Sequence, residues 1–69
     1  MSLGTKIRIL REKKGITRTC CDEFLNLMHG TVSNWENGYS LPEEDLLPDI
    51  ARFFGVKTND LLSDVPLAG

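Results

Sequence analysis

Apolar residues recur at helical spacing from the start of this chain. Three of them form a stripe at positions i, i+4 and i+7: Leu3, Ile7 and Leu10. Charged side chains, including Lys6, take other positions around the same helical wheel, so the pattern predicts an amphipathic helix over residues 3–14. Gly15 follows two lysines and is suited to end this helix in a left-handed conformation.

The next stretch predicts a second helix over about residues 18–25. Ile16 precedes Thr17, and a hydrophobic residue before a Thr N-cap is a common start of a helix. Two apolar stripes compete for the inner face of this helix. One stripe consists of Cys21 and Leu25, and the other consists of Cys20 and Phe24. The spacing leaves both alternatives open, and with the first stripe inside, Phe24 would be exposed and free to contact a partner.

A third helix is predicted to begin near His29, over about residues 28–36, and to end at Asn37 and Gly38. Asn26 lies at the turn before it, where a positive φ is needed and Asn is the second choice after Gly. The apolar positions expected inside are Leu27, Val32 and Trp35. The small or polar positions expected outside are His29, Gly30, Ser33 and Asn34.

Helices joined in this way over residues 17–38 form a helix-turn-helix unit, whose second helix enters the major groove of DNA. The N-terminus of that helix is weak in this sequence. Gly30 inside a helix is less favourable than Ala by about 1 kcal/mol. Met28 has no side-chain oxygen where a Ser or Thr cap is expected. We expect the helix to form in spite of both residues.

The second half of the chain predicts a fourth helix that begins near Leu46 or Leu47 and ends at Gly55. The acidic residues 43–45 favour a helix N-terminus and form a looser lead-in. Pro48 is compatible with this helix only in its first turn.

Thr58 is expected to cap a fifth, short helix that ends at Leu62, and residues 63–69 are expected to fray. No segment alternates apolar and polar residues with period two. The chain has 69 residues, of which 41% are hydrophobic and 26% charged, and it is too short for a second module. These features predict a single all-α, five-helix domain over residues 1–69, with its core in residues 3–62.

The net charge of −2 does not by itself suggest a nucleic-acid partner. The charges are, however, unevenly distributed. Residues 1–35 carry six Lys and Arg against three Asp and Glu, a balance of +3, whereas residues 36–69 carry two against seven, a balance of −5. A domain with one basic end can present that end to phosphates.

The residue types present give little support to an enzymatic or metal-binding function. His29 is the only histidine, and Cys20 and Cys21 are adjacent rather than spaced as metal ligands. We therefore expect no catalytic residues, no metal and no cofactor, with Cys21 in the core and Cys20 at the surface. No apolar run is long enough to span a bilayer or to act as a signal peptide. This predicts a cytoplasmic protein without a membrane partner or an evident small-molecule ligand.

The end of the third helix carries the most specific pattern: Ser33-x-Trp35-Glu36-x-Gly38, followed by Pro42 and by Phe54-Gly55-Val56. Together with the apolar positions between residues 3 and 62, this pattern resembles the phage-repressor/Cro-like, or XRE-family, helix-turn-helix domains. The resemblance implies a structural ion pair between Arg11 and Glu36, which would fix the third helix against the first.

The resemblance also implies which residues touch DNA. Base edges would be read by His29, Gly30, Ser33 and Asn34. Backbone phosphates would be bound by Arg18, Thr31, Asn37, Tyr39 and Ser40. Asp22 stands where the family usually has Ala, so its carboxylate must be exposed, be paired, or displace the packing of the second and third helices.

These implications together describe a sequence-specific DNA-binding transcriptional regulator of the repressor type, which binds double-stranded DNA as a two-fold homodimer. The alternative is a protein-interaction or regulatory module of the same fold with weak or lost DNA binding. Asp22, Met28 and the negative net charge allow this alternative.

Overall fold

The computed structural model describes residues 2–63, which form five α-helices, one short 3-10 helix and no strand. The α-helices are α1 (Leu3–Lys14), α2 (Arg18–Phe24), α3 (Thr31–Glu36), α4 (Leu47–Phe54) and α5 (Thr58–Leu62). The 3-10 helix is Glu44–Leu46. The predicted all-α, five-helix fold is confirmed. The predicted fraying of residues 63–69 is wrong for Ser63, whose N–H donates to the carbonyl oxygen of Asn59 at 2.9 Å, and residues 64–69 lie outside the described residues. No helix in residues 2–63 is long and apolar enough to cross a membrane.

Four predicted features of the helix ends are present. Gly15 and Gly55 end α1 and α4 in the left-handed region, with φ of 74° and 72°. The Thr17 hydroxyl oxygen accepts a hydrogen bond from the backbone N–H of Cys20 at 3.0 Å and so caps α2. Pro48 lies in the first turn of α4, where its missing N–H breaks no helical hydrogen bond.

The predicted cap of α5 is wrong. Thr58 is the first residue of that helix, and the N-cap is Lys57 in an extended conformation. The Asp60 carboxylate accepts a hydrogen bond from the backbone N–H of Lys57 at 3.3 Å. An acidic side chain inside the first turn therefore satisfies the N–H of the N-cap residue, and the N-cap residue itself makes no side-chain cap hydrogen bond.

One core joins the five helices. Its buried apolar residues are Ile7, Leu10, Cys21, Val32, Trp35, Leu47, Ile50, Ala51 and Leu61. Cys21 is fully buried whereas Phe24 is 70% exposed, so the inner face of α2 is the stripe formed by Cys21 and Leu25. Burial, and then the charge of Asp22, raises the pKa of the Cys21 thiol to about 11, which keeps this thiol protonated and unreactive at neutral pH.

Lys6 is fully buried, although it lies off the apolar stripe that predicted α1. Its ammonium group donates hydrogen bonds to the backbone carbonyl oxygens of Asp60, at 2.7 Å, and of Ser63. These carbonyls lie at the C-terminal end of α5, where helical acceptors lack partners and a positive charge is favourable. The helical wheel of α1 does not reveal this contact, because the acceptors lie 54 and 57 residues further along the chain.

Gly4 lies where α1 and α3 approach each other closely. A Cβ atom on Gly4 would lie 2.1 Å from the carbonyl oxygen of Trp35 and 3.3 Å from the Cα of Glu36. These neighbours are backbone atoms, which cannot rotate away as a side chain can. The missing side chain of Gly4 therefore allows the end of α3 to rest directly on α1.

We expect Gly4→Ala to lower the free energy of unfolding by about 1–3 kcal/mol, because the added methyl group overpacks this contact. In an unobstructed helix the same change would be stabilising, since Ala has the higher helix propensity. Urea unfolding measures the difference, with Lys13→Ala at an exposed position of α1 as the control. A more stable Gly4→Ala variant would show that α1 and α3 are further apart than described.

Candidate nucleic-acid interface

The segment between α2 and α3 agrees with its prediction only in part. Asn26 has a φ of 61°, which confirms the predicted turn. The predicted start of the third helix near His29 is wrong, because α3 begins at Thr31. Gly30 is the N-cap of α3, with a φ of 91°, so it does not weaken a helix interior as predicted. A side chain at this left-handed position would be strained, which is the physical reason for a glycine there.

Asp22 supplies the cap that α3 lacks in its own sequence. Its Oδ2 accepts a hydrogen bond from the N–H of Gly30 at 3.0 Å, and its Oδ1 accepts one from the N–H of Val32 at 2.9 Å. The residue is only 2% exposed. Of the three alternatives for this carboxylate, the structure therefore shows the paired one. A negative charge at the start of a helix is also favoured by the helix dipole.

Arg11 of α1 and Glu36 of α3 form a bidentate ion pair. Arg11 Nε donates to Glu36 Oε2 at 2.7 Å, and Arg11 Nη2 donates to Glu36 Oε1 at 3.2 Å. Arg11 Nη1 also donates to the backbone carbonyl of Ile16 at 2.8 Å, which holds the loop after α1 at the same place. The Glu36 side chain is 1% exposed, so this pair fixes the C-terminal end of α3 on α1.

Two further arginines approach the Glu36 carboxylate. Arg18 Nε donates to Glu36 Oε1 at 3.0 Å, and Arg8 Nε lies 3.8 Å from the same oxygen. Burial by itself raises the pKa of Glu36, but the hydrogen bonds and charges of Arg11 and Arg18 outweigh it, so the pKa lies below the ordinary value of 4.5. The hydrogen bond to Glu36 in turn raises the pKa of Arg11. Glu36 and Arg11 are therefore fully ionised at neutral pH.

Arg8 was not predicted to be part of this cluster. A usable signal was present, because Arg8 precedes Arg11 by three residues and therefore lies on the same side of α1. Asp22 was identified as unusual, but its partners, 8 and 10 residues along the chain, were not.

The four residues predicted to read bases divide between α3 and the turn before it. Ser33 and Asn34 lie in α3, while His29 and Gly30 precede that helix. Asn34 and His29 are exposed, and Ser33 and Gly30 are half-buried. Because the opposite side of α3 packs in the core, the side that carries Asn34 faces solvent. Contact of these residues with bases stays a prediction.

The five residues predicted to bind phosphates have different surroundings. Three follow α3 and are exposed: Asn37, Tyr39 and Ser40. Arg18 is held by Glu36, with its side chain 42% exposed. Thr31 is half-buried, and its hydroxyl donates to the backbone carbonyl of Met28 at 2.8 Å. Their contact with phosphates likewise stays a prediction.

A groove of about 610 Å³ lies beside α3, bounded by the loop after that helix and by the start of α4. Trp35, Leu41 and Leu46 contribute apolar surface to it. Three acidic residues also line it: Glu43, Asp45 and Asp49. Thr31 and Ser40, two of the predicted phosphate contacts, line the same groove. Negative charge next to these two positions opposes the approach of a phosphate.

The described part of the chain does not arrange the histidine and the cysteines as metal ligands. Cys20 is half-buried, Cys21 is buried and His29 is exposed. Throughout residues 2–63, no group of three or more His, Cys, Asp and Glu side chains is placed to hold a metal ion.

A short helix held at its start by Asp22 and at its end by Arg11, with one side in the core and the other toward solvent, defines a helix-turn-helix domain. The sequence model of the helix-turn-helix family matches residues 7–61. The chain therefore belongs to this family, and its resemblance to the XRE-type members is confirmed.

Two curated relatives are similar to most of the chain. The HTH-type transcriptional regulator ImmR of Bacillus subtilis (strain 168) is 36% identical over 62 residues, which are 90% of this chain and 49% of that protein. The HTH-type transcriptional activator BcrR of Enterococcus faecalis is 33% identical over 63 residues, which are 91% of this chain and 31% of that protein. The chain thus spans about half the length of one relative and about a third of the other. Both relatives are named as regulators of transcription.

Proposed function

We propose that this chain is a sequence-specific DNA-binding transcriptional regulator that inserts α3 into the major groove of double-stranded DNA. The observation that carries the proposal is the fixed orientation of α3, with Asp22 at its start, Arg11 at its end and Asn34 exposed between them. A helix held in this way can read base edges, because each base pair presents its own donors and acceptors in the major groove. The names of the two relatives support the same function.

Each proposed base contact has its own chemistry. Asn34 can pair with adenine through two hydrogen bonds, and His29 can donate a hydrogen bond to guanine N7 or O6. Ser33 can bond to either kind of base, while Gly30 offers only its backbone. Asn34 therefore carries the largest expected share of sequence discrimination.

The proposed assembly on DNA is a two-fold homodimer, because a single domain of this kind buries only ~600–1,000 Å² on DNA. Domains related by a two-fold axis bind half-sites about one helical turn apart. Selection of bound sequences from a randomised duplex pool tests this. A palindrome with that spacing is the expected result, and a lone half-site would contradict the dimer.

The proposed mode of regulation is repression by occupation of promoter DNA. A reporter gene whose promoter overlaps the selected site should be transcribed less when the protein is present. An increase in transcription would instead favour activation, the role in the name of BcrR.

Asn34→Ala should weaken binding to the selected site by about 1–3 kcal/mol, the usual worth of a bidentate base contact. Binding to random duplex should change much less, because that binding depends on phosphates. Titration of both duplexes at one salt concentration gives the comparison, and Asn59→Ala, at an exposed position of α5, is the matched control. Equal losses on the two duplexes would exclude direct readout by Asn34.

A second candidate function is a protein-interaction module with weak or lost DNA binding. The acidic and partly apolar groove beside α3 favours it, since that surface suits a cationic, amphipathic peptide better than a phosphate. Titration with randomised duplex at low and high salt separates the two candidates. Retention at low salt supports the regulator, and no retention at low salt supports the interaction module.

A further inference from the structure

The cluster around Glu36 contains more positive charge than its carboxylate can neutralise. Three guanidinium groups, those of Arg8, Arg11 and Arg18, lie within 3.8 Å of one carboxylate. Arg11 takes both oxygens in a bidentate contact and is nearly buried. Since Arg11 and Glu36 neutralise each other, the positive charges of Arg8 and Arg18 give the cluster an excess of about two positive charges.

Arg8 and Arg18 are held close together by a shared atom. Both Nε atoms approach Glu36 Oε1, at 3.8 and 3.0 Å, so they are no more than about 7 Å from each other. Two charge-assisted hydrogen bonds of about 2.8 Å, made to different oxygens of one phosphate, can span this separation. Guanidinium groups are well suited to this contact, because each presents a planar fork of donors.

Both side chains also remain accessible. Arg8 is 53% exposed and Arg18 is 42% exposed, in contrast to 11% for Arg11. Among the described residues, the Arg8 side chain makes no hydrogen bond, and the Arg18 side chain uses only its Nε–H on a protein acceptor. Most of their N–H donors therefore point to no protein partner and are free for an anion from solvent.

We propose that Arg8 and Arg18 together bind one phosphate of the DNA backbone, with Glu36 as the positioning residue that holds the two guanidinium groups side by side. This inference rests on the proposed function and adds Arg8 to the residues that touch DNA. It places that phosphate at the C-terminal end of α3, next to Asn37 in the chain. The contact would orient the domain on the duplex without reading sequence.

The experiment compares single and double variants of the full chain by titration with the selected and random duplexes over a range of salt concentrations. Arg8→Gln should weaken binding to both duplexes about equally, by roughly 5-fold at 0.15 M salt, and should leave most of the salt slope, because Arg18 still neutralises the shared phosphate. The variant that combines Arg8→Gln with Arg18→Gln should lower the slope by about one. Arg8→Lys should largely retain the affinity, since the charge remains. Arg52→Gln removes the same charge from an exposed position of α4 and should leave the affinity unchanged.

A double-mutant cycle tests whether the two arginines share one phosphate. If they do, the combined variant Arg8→Gln with Arg18→Gln should lose less affinity than the sum of the two single losses. Additive losses would overturn the shared contact. An unchanged affinity of Arg8→Gln for both duplexes would overturn any contact between Arg8 and a phosphate.

Two further measurements separate this inference from the proposed function and from a folding effect. Absence of wild-type binding to any duplex at low salt would remove the proposed function itself, whereas wild-type binding with an unaltered affinity of Arg8→Gln removes only the inference. Urea unfolding of Arg8→Gln should match the wild type, because Arg8 is an exposed partner in the cluster. Inorganic phosphate at the same ionic strength should compete only weakly with DNA for binding to the protein. Complete loss of DNA binding in millimolar phosphate would instead identify a site for free phosphate.

Discussion

Glu36→Gln is expected to remove about 3 kcal/mol or more from the free energy of unfolding, because it leaves the nearly buried Arg11 without its counter-charge. Arg18 loses its charged acceptor in the same step. A chain of 69 residues has a total stability on the order of 5 kcal/mol. The variant should therefore be largely unfolded near physiological temperature, as measured by urea denaturation followed by far-ultraviolet circular dichroism.

The same carboxylate predicts a dependence of stability on pH. The pKa of Glu36 in the folded protein lies below the ordinary value of 4.5. Ionised Glu36 therefore stabilises the fold fully above that value, and this contribution is lost as the pH falls through the lower pKa of the folded state. Between about pH 6 and about pH 3, the wild type should lose stability more steeply than Glu36→Gln when both are kept folded by an osmolyte.

Glu23→Gln is the control for this prediction. It makes the same change of charge at an exposed position of α2, and such surface changes usually alter stability by less than about 0.5 kcal/mol. If Glu36→Gln were no more harmful than Glu23→Gln, the arginine cluster could not be what fixes the end of α3.

Asp22→Ala is expected to lower the free energy of unfolding by about 3 kcal/mol, because two backbone N–H groups lose their acceptor. These groups belong to Gly30 and Val32, and the bond to Val32 is buried. Asp22→Asn retains one oxygen acceptor and should lose about half as much. Amide hydrogen exchange gives a residue-specific measurement, and the amides of Gly30 and Val32 should exchange faster in both variants.

The matched control for Asp22→Ala is Glu23→Ala, the neighbouring carboxylate on the exposed side of α2. This control should leave the exchange of Gly30 and Val32 unchanged. Asp22→Ala should also weaken DNA binding under conditions in which it remains folded, since the start of α3 is then no longer fixed. Unaltered exchange at Gly30 and Val32 in Asp22→Ala would contradict the capping role.

Local signals in the sequence were sufficient for α1, α2 and α4. Gly15, Thr17 and Gly55 act on the helices next to them, so apolar spacing and single cap residues predict these ends. The start of α3 was not predictable in this way, because its cap comes from Asp22 on the preceding helix. The conformation of the turn around Gly30 depends on that cap. The helical spacing of residues 28–36 begins before Thr31, the first residue of α3, so it does not show where that helix starts.

The candidate site depended on information of another kind. The pairing of Arg11 with Glu36 came from the family resemblance, since nothing in the spacing of residues 25 apart indicates a contact. The structure adds Arg8 to that pair and shows that Lys6, which lies off the apolar stripe of α1, is completely buried. Both differences arise from contacts between helices far apart in the chain, which no periodic pattern within a single helix encodes.

The buried ammonium group of Lys6 has a consequence for biosynthesis. An enclosed cation is tolerated only while its acceptors are in place, and those acceptors are the carbonyls of Asp60 and Ser63. While the polypeptide emerges from the ribosome, the Lys6 ammonium therefore stays in contact with water until the end of α5 has been synthesised. Resistance of α1 in the nascent chain to proteases should rise when the last turn of α5 closes over it.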